Sequence, residues 1–466
     1  MGRDHLRMKK ITIVKDKVFY ENVLAIMLPV AGQQAINMGV NMMDTVMLGS
    51  FGEVQLSASS LANTFYSLYN ILCMGIIGGC SVLMAQFWGA RQLERARQTL
   101  NLGIRISALA GLIFALVTWF FPDTIMSFFT TEPEVIEQGV KYLKITTFIY
   151  IIHGTSLVAC FLMRSVQQAT LGLVTSIISF VFNLFFNWVF IFGKFGAPRM
   201  EIAGAALGTL IARSSEFLVT FIYIFFLDKR IDFKWKSLFV NPTKDLLQRY
   251  WKAGAPALAS DTMLGLGNTV IGIVLGHMGS IVVAANSVVQ VVDRLFTVVV
   301  GGVSNAASIV TGNTIGAGEK EKAEAQGQTF YLMSVAIGIL NCLLIVFLGP
   351  LTIKLYTLSP ETIAETKRMM IASGFIMIFG SIQGVMTKGV LRGGGDTKFL
   401  LKADILFLWV VSIPLGALVG LVFHMPGWFT FICLKVDLII KSIWCINRLN
   451  SGKWIRDMTQ KDITNA

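Results

Sequence analysis

Apolar residues run through this chain in long blocks, such as Ile106–Phe121 and Leu332–Phe347, separated by short polar segments. Blocks of roughly 20 apolar residues predict helices that cross a bilayer, because about 1.5 Å of rise per residue then matches the hydrocarbon thickness. The pattern predicts twelve spans, at 20–47, 56–84, 100–121, 136–161, 170–193, 202–227, 250–275, 281–310, 328–349, 363–387, 400–423 and 426–447. The polar segments between them are too short to coat a soluble core of this size. Six spans precede the basic segment Asp228–Lys252 and six follow it. The expected layout is a segment 1–19, an N-lobe 20–227, a linker 228–249, a C-lobe 250–447 and a tail 448–466. The fold class is therefore an all-α integral membrane protein.

The two halves repeat each other. At a shift of 227 positions Pro29 overlays Pro256, Leu48-Gly49 overlays Leu275-Gly276, and Gly89-Ala90 overlays Gly316-Ala317. At a shift of 228, Arg164 meets Arg392. Chance seldom aligns Pro and Gly, the residues with special backbone demands. An even number of spans per half gives both halves the same direction, so they are pseudo-symmetric about an axis along the membrane normal. Repeats of this kind mark secondary transporters whose site lies between the halves. Pro29 and Pro256 each fall inside the first span of a half, where a proline removes a backbone hydrogen bond. Both are hinge candidates, with a static kink as the equal alternative.

Composition agrees: 54% of residues are hydrophobic, 14% are charged, and the mean hydropathy is +0.67. The net charge of +12 first suggests a polyanion partner. Its distribution changes that reading. With the N-terminus inside, the cytoplasmic segments hold 27 Lys and Arg, whereas the opposite loops hold only Lys194, Arg199 and Lys354. By the positive-inside rule both termini are cytoplasmic, and no nucleic-acid partner is expected. The six cysteines lie in apolar runs without metal-ligand spacing, and Gly2 is not followed by Ser or Thr at position six, where Leu6 stands. Disulfide, zinc and myristoyl readings are therefore poor. No Walker-A run or nucleophile motif is present, so neither direct ATP hydrolysis nor an enzyme is expected.

Ionisable residues inside a span cost roughly 2.5–3.5 kcal/mol each on insertion scales, so each needs a reason. Asp44 lies in the outer part of the first span. Asn183 and Asn187 stand four apart in the fifth, on one helix face, and Thr209 lies in the sixth. A carboxylate, two amides and a hydroxyl suit a hard cation such as Na⁺, or surround an acid that takes a proton. No other metal is expected. Asp261 follows Pro256 by five residues, as Gln34 follows Pro29, so these two are candidates to line a substrate cavity. Asp261 is alternatively half of an ion pair, for which Asp293-Arg294 offers a partner. Arg213 and Glu216, three apart, read as a structural pair, His153 as a core histidine and His277 as exposed. Gly393-Gly394-Gly395-Asp396 reads as a tight turn.

Several stretches together resemble the multidrug and toxic compound extrusion (MATE) family. They are Asp44-Thr-Val-Met-Leu-Gly49, Ala85-Gln-Phe-Trp-Gly-Ala-Arg91, Gly312-Asn-Thr-Ile-Gly-Ala-Gly318, Asn183-Leu-Phe-Phe-Asn187-Trp188, Gly193-Lys-Phe-Gly-Ala-Pro198 with Gly204-Ala-Ala, and Leu391-Arg-Gly-Gly-Gly-Asp-Thr-Lys398. The resemblance implies twelve helices in two pseudo-symmetric six-helix lobes around a central cavity. It implies a multidrug efflux antiporter that exchanges organic cations or other amphipathic compounds for Na⁺ or H⁺ by alternating access. Asp44 then matches the family's N-lobe carboxylate, with Asn183, Asn187 and Thr209 beside it in the cation site and Pro29 at the bend of the first span. In some members the position of Asn187 is an acid; here it is neutral.

The rival readings are a lipid-linked glycan flippase, which needs a more basic cavity, and an exporter of an endogenous metabolite. The expected partners are small organic molecules and membrane lipid, with a monomeric chain, no cofactor beyond the coupling ion, and a cell-membrane location.

Overall fold

The computed structural model describes residues 12–49, 52–354, 356 and 358–459. The first eleven positions, with Gly2 and Leu6, part of the first outer loop and the end of the tail lie outside the described residues. The described chain is helical throughout, with no strand. Its helices are α1 Lys17–Gly49, α2 Glu53–Gly89, α3 Leu93–Phe120, α4 Pro122–Phe129, α5 Pro133–Thr146, α6 Ile149–Ser165, α7 Ala169–Phe192 and α8 Glu201–Ile222. The second half holds α9 Lys244–His277, α10 Ser280–Gly316, α11 Lys320–Ile353, α12 Pro360–Gly384, α13 Thr397–Ala403, α14 Ile413–Ala417, α15 Gly427–Leu434 and α16 Val436–Asn450. π-helical segments run over Tyr223–Leu227, Val385–Leu391, Asp404–Ser412 and Leu418–Val422.

All twelve predicted spans fall on these helices, and the chain is a multi-pass membrane protein. Among the described residues ten helices are long and apolar enough to cross a membrane. The pair α5 and α6, bent by 54°, meets the same test when taken together. The predicted span 426–447 is likewise two helices, broken at Lys435. Here the buried charges Asp437 and Lys441 depart from a plain apolar helix.

The repeat is visible in the helix boundaries. Helices α2 and α10 are both 37 residues long, and both their ends stand 227 positions apart. The starts of α3 and α11, and of α5 and α12, are 227 apart as well. The halves differ in winding. Where the first half bends between α5 and α6, the second continues from α12 into a π-helical stretch.

By its contacts the chain forms two compact units. One comprises Pro29–Met84 and Gln92–Gly254; the other comprises Ala255–Ala466, Ala85–Arg91 and the chain up to Leu28. The boundaries cut α1 just before Pro29 and α9 just before Ala255, so the helices that bear Pro29 and Pro256 each belong partly to both units.

In the first of these units, Ala58, Ala62, Met126, Leu143, Ile202 and Ala206 form a buried core. Glycines allow close helix crossings there, as small residues do in membranes. A Cβ on Gly79 would lie 2.6 Å from the Cα of Gly254. The linker is shorter than expected, because α9 already begins at Lys244. It is tied to α3: Arg97 Nε donates to the Ile231 carbonyl at 2.7 Å, and Asn101 Nδ2 to that of Val240 at 2.6 Å.

In the other unit, buried Val289, Val292, Ile345, Met369, Met370 and Leu434 belong to one core. The Gly393–Asp396 stretch is the expected turn, with Gly395 at φ +81°. Asp396 is fully buried and holds Arg448 at 2.7 Å and Arg456 at 2.6 Å. The chain after α16 is thereby pinned to this turn, with Trp454 fully buried and the Arg456 amide on the Gly394 carbonyl at 2.9 Å.

Candidate functional site

The four residues expected around a cation converge in the Pro29–Gly254 unit. Asn187 Nδ2 donates to Asp44 Oδ1 at 2.6 Å and to Asn183 Oδ1 at 3.2 Å. Asn183 Nδ2 donates to Thr209 Oγ1 at 3.5 Å. The i,i+4 spacing on α7 puts both amides on one buried face, which packs on α8. Asn183 and Asn187 are buried, while Asp44 and Thr209 keep partial exposure.

Two features distinguish this cluster. First, Asn187 Oδ1 is buried with no hydrogen-bond partner, an unused acceptor beside a carboxylate. Buried polar atoms are nearly always satisfied, so an orphan at such a point suits a ligand. It faces Gly208 of α8, where any Cβ would collide with that oxygen. Gly208 is thus required for the approach of α8 to Asn187, a role the sequence reading missed.

Second, the neighbouring charge is already taken. Arg213 faces Asp44 electrostatically, but its Nη1 sits 2.8 Å from Glu216 Oε2, the pair expected from their spacing. His153 is buried as expected, but its Nδ1, 3.7 Å from the same carboxylate oxygen, lacks the hydrogen bond expected of a core histidine. Two carboxylates thus share one arginine, and Glu216 holds it.

Asp261 is half of an ion pair, and its partner is Arg392, not Arg294. Arg392 Nη2 and Nη1 reach the two Asp261 oxygens at 2.8 and 3.2 Å. Arg294 is exposed, and Asp293 accepts from Ser373 Oγ at 2.6 Å. This pair also corrects the repeat register. In the first half Arg164 Nη2 donates to Gln33 Oε1, and both pairs are related by a shift of 228. Gln33, which is buried, is therefore the counterpart of Asp261; Gln34 is only half-buried. His277 is exposed, as expected.

Comparison with known proteins follows the same outline. The MatE family model matches the chain twice, at residues 29–189 and 256–418, opening each time on one of the two helix prolines. The chain is similar to the uncharacterized transporter YisQ of Bacillus subtilis (23% identity, 95% of this chain and 96% of that one). It is also similar to a probable multidrug resistance protein NorM of Thermotoga maritima (24% identity, 93% of each chain). Among solved structures, a MATE crystal structure in the straight conformation superposes with a TM-score of 0.84 at 17% identity, covering 93% of this chain and 97% of that one. A multidrug resistance MATE family transporter in an outward-facing conformation gives 0.83 at 18% identity, with the same coverage. The two-lobe fold is therefore shared, and with both halves matched by its model the chain belongs to the MATE family of membrane transporters.

Proposed function

We propose that this protein is a secondary active antiporter that exports organic cations or other amphipathic compounds in exchange for Na⁺ or H⁺, with exchange at Asp44. The observation that carries this reading is a carboxylate left without a cation of its own. Among the described residues Glu216 holds the arginine that faces Asp44, while Asp44 has the Asn187 and Asn183 amides beside it, one of them with an unused oxygen. Such a group lowers its charge by taking a proton, a metal ion or a cationic substrate, and only one at a time. Mutual exclusion at one charge is the physical basis of antiport. A Na⁺ ion takes oxygen ligands, and a half-turn of the Asn187 amide presents Oδ1 in place of Nδ2. A proton needs no such turn.

The names of the NorM relatives support a multidrug substrate range. In this reading both termini are cytoplasmic, as the charge asymmetry requires, and the helices around Pro29 and Pro256 bend during alternating access. The unit boundaries beside both prolines support that role. The test is efflux of a fluorescent organic cation from proteoliposomes under an imposed Na⁺ gradient and, separately, a pH gradient. Efflux driven by one gradient and lost in Asp44→Asn supports the reading; efflux that ignores both gradients sinks it.

A further inference from the structure

A second ionic cluster lies in the Ala255–Ala466 unit, and the sequence reading did not anticipate it. Lys441 of α16 is fully buried, with Nζ 2.8 Å from Asp404 Oδ1 and 3.0 Å from Asp437 Oδ2. The two carboxylate side chains are only 5% and 4% exposed. Asp437 and Lys441 stand four apart on α16, on one face. Asp404 opens the π-helical segment Asp404–Ser412, whose residues Asp404, Leu408 and Ser412 are all buried. This rare π winding, common at functional sites, carries Asp404 and Ser412 at its two ends, and both meet the α9 or α16 side chains. Ser412 Oγ donates to Asp437 Oδ1 at 3.3 Å, and Ser260 of α9 donates to Asp404 Oδ2.

Two carboxylates against one ammonium leave one negative charge in the hydrocarbon region. The other groups do not cancel it cleanly. Lys435 faces Asp437 first and Asp293 second, and its Nζ lies 3.4 Å from Asn268 Oδ1, so counting Lys435 together with Asp293 adds one charge of each sign. Cys445 on α16 is an uncharged thiol, and α12 meets α16 here through the Phe379 carbonyl that accepts from Ser442. Asp261, beside Ser260, is spoken for by Arg392. The Lys441 ammonium already stands between the carboxylates, 2.8 and 3.0 Å from them. A proton needs only an oxygen lone pair.

We propose that Asp404, Asp437 and Lys441 form a second ion site that holds one exchangeable proton, distinct from Asp44. Release breaks the O–H bond of one carboxyl group, leaves the electron pair on its oxygen and passes the proton to water. Ser260 links the site to α9, four residues after Pro256, so a bend of α9 removes a donor from Asp404 and changes which state holds the proton. The link to transport rests on the antiport reading; the proton itself does not.

The test is infrared spectroscopy of the full chain in lipid nanodiscs, reading the C=O stretch of protonated carboxylic acids. Asp44→Asn should abolish gradient-driven efflux yet retain a carboxylic-acid band that shifts in D₂O. Asp404→Asn or Asp437→Asn should remove that band, because the remaining aspartate and Lys441 form a neutral ion pair. Asp293→Asn should leave it in place. A band lacking in both the wild-type and Asp44→Asn proteins overturns the proposal without any change to the triad, so poor folding of a triad variant does not rescue it. A band that persists in both Asp404→Asn and Asp437→Asn, or that does not shift in D₂O, overturns it as well. Failure of the antiport reading would show instead as efflux indifferent to Asp44, whatever the infrared result.

Discussion

Each of the two units contains a cluster of two carboxylates and one cation, and the two clusters are wired differently. In the Pro29–Gly254 unit, Arg213 and Glu216 stand three apart on α8 and pair at 2.8 Å, so Asp44 is left with amides and partial exposure. In the other unit, Lys441 lies between Asp404 and Asp437, bonded to both, and all three are shut away. Equal charge therefore does not mean equal chemistry. In the proposed reading, an arginine committed to one neighbour leaves the other acid open to exchange with solutes, and a lysine shared by two acids leaves its group to a proton.

The comparison breaks most severely if the shared lysine is removed. Lys441→Met leaves two buried acids without a cation, which costs about 3–5 kcal/mol of stability. Thermal unfolding in detergent should show a lowered midpoint, and Lys441→Met combined with Asp437→Asn should recover part of it. Next in size is Asp44→Asn. Truncating one partner of a buried charged contact costs about 2–5 kcal/mol, so coupling-ion affinity should fall by at least about 30-fold. Stability should hardly change, because Asp44 keeps Asn187 as a neighbour and some access to water. The clusters thus differ in sign of effect: one substitution harms folding, the other harms exchange.

A milder perturbation sharpens the geometry of the first site. Gly208→Ala pushes a methyl group into Asn187 Oδ1 and brings it 2.9 Å from the Asn187 backbone nitrogen. Overpacking of this kind costs about 1–3 kcal/mol. Efflux should weaken in step with ion affinity, while Gly276→Ala, where nothing lies within 4 Å, should be silent. The smallest effect is expected from Asp261→Gln, which copies the Gln33–Arg164 pair of the first half into the second. The substitution takes the counter-charge from Arg392 but keeps a charge-assisted hydrogen bond to its guanidinium, at a cost of about 1 kcal/mol, readable as a slight drop in melting temperature.

Much of this was legible in the chain because membranes force simple patterns. Ten crossing helices follow from apolar runs, and the Arg213–Glu216 pair follows from helical spacing. The Asp44 nest needed the family resemblance as well as the i,i+4 amides. Three things escaped. Adjacent Gln33 and Gln34 are equally polar, so only burial tells which one faces Arg164. Asp261 and Arg392 are 131 positions apart, and no local pattern joins them. Their one signal was the 228 shift that already matched Arg164 to Arg392. The Lys441 cluster was read over as part of an apolar span. Asp437 and Lys441 at i,i+4 were its visible mark, but the π winding that brings Asp404 and Ser412 to them leaves no trace in hydropathy.

The most direct test of the central claim is competition at Asp44. Binding of a fluorescent organic cation to the purified protein would be titrated by polarisation at rising Na⁺ and, separately, at falling pH. The account predicts that one of these cations raises the apparent Kd of the wild-type protein in a competitive manner and has no such effect on Asp44→Asn. Unchanged competition in Asp44→Asn would contradict it and move the exchange site elsewhere in the chain.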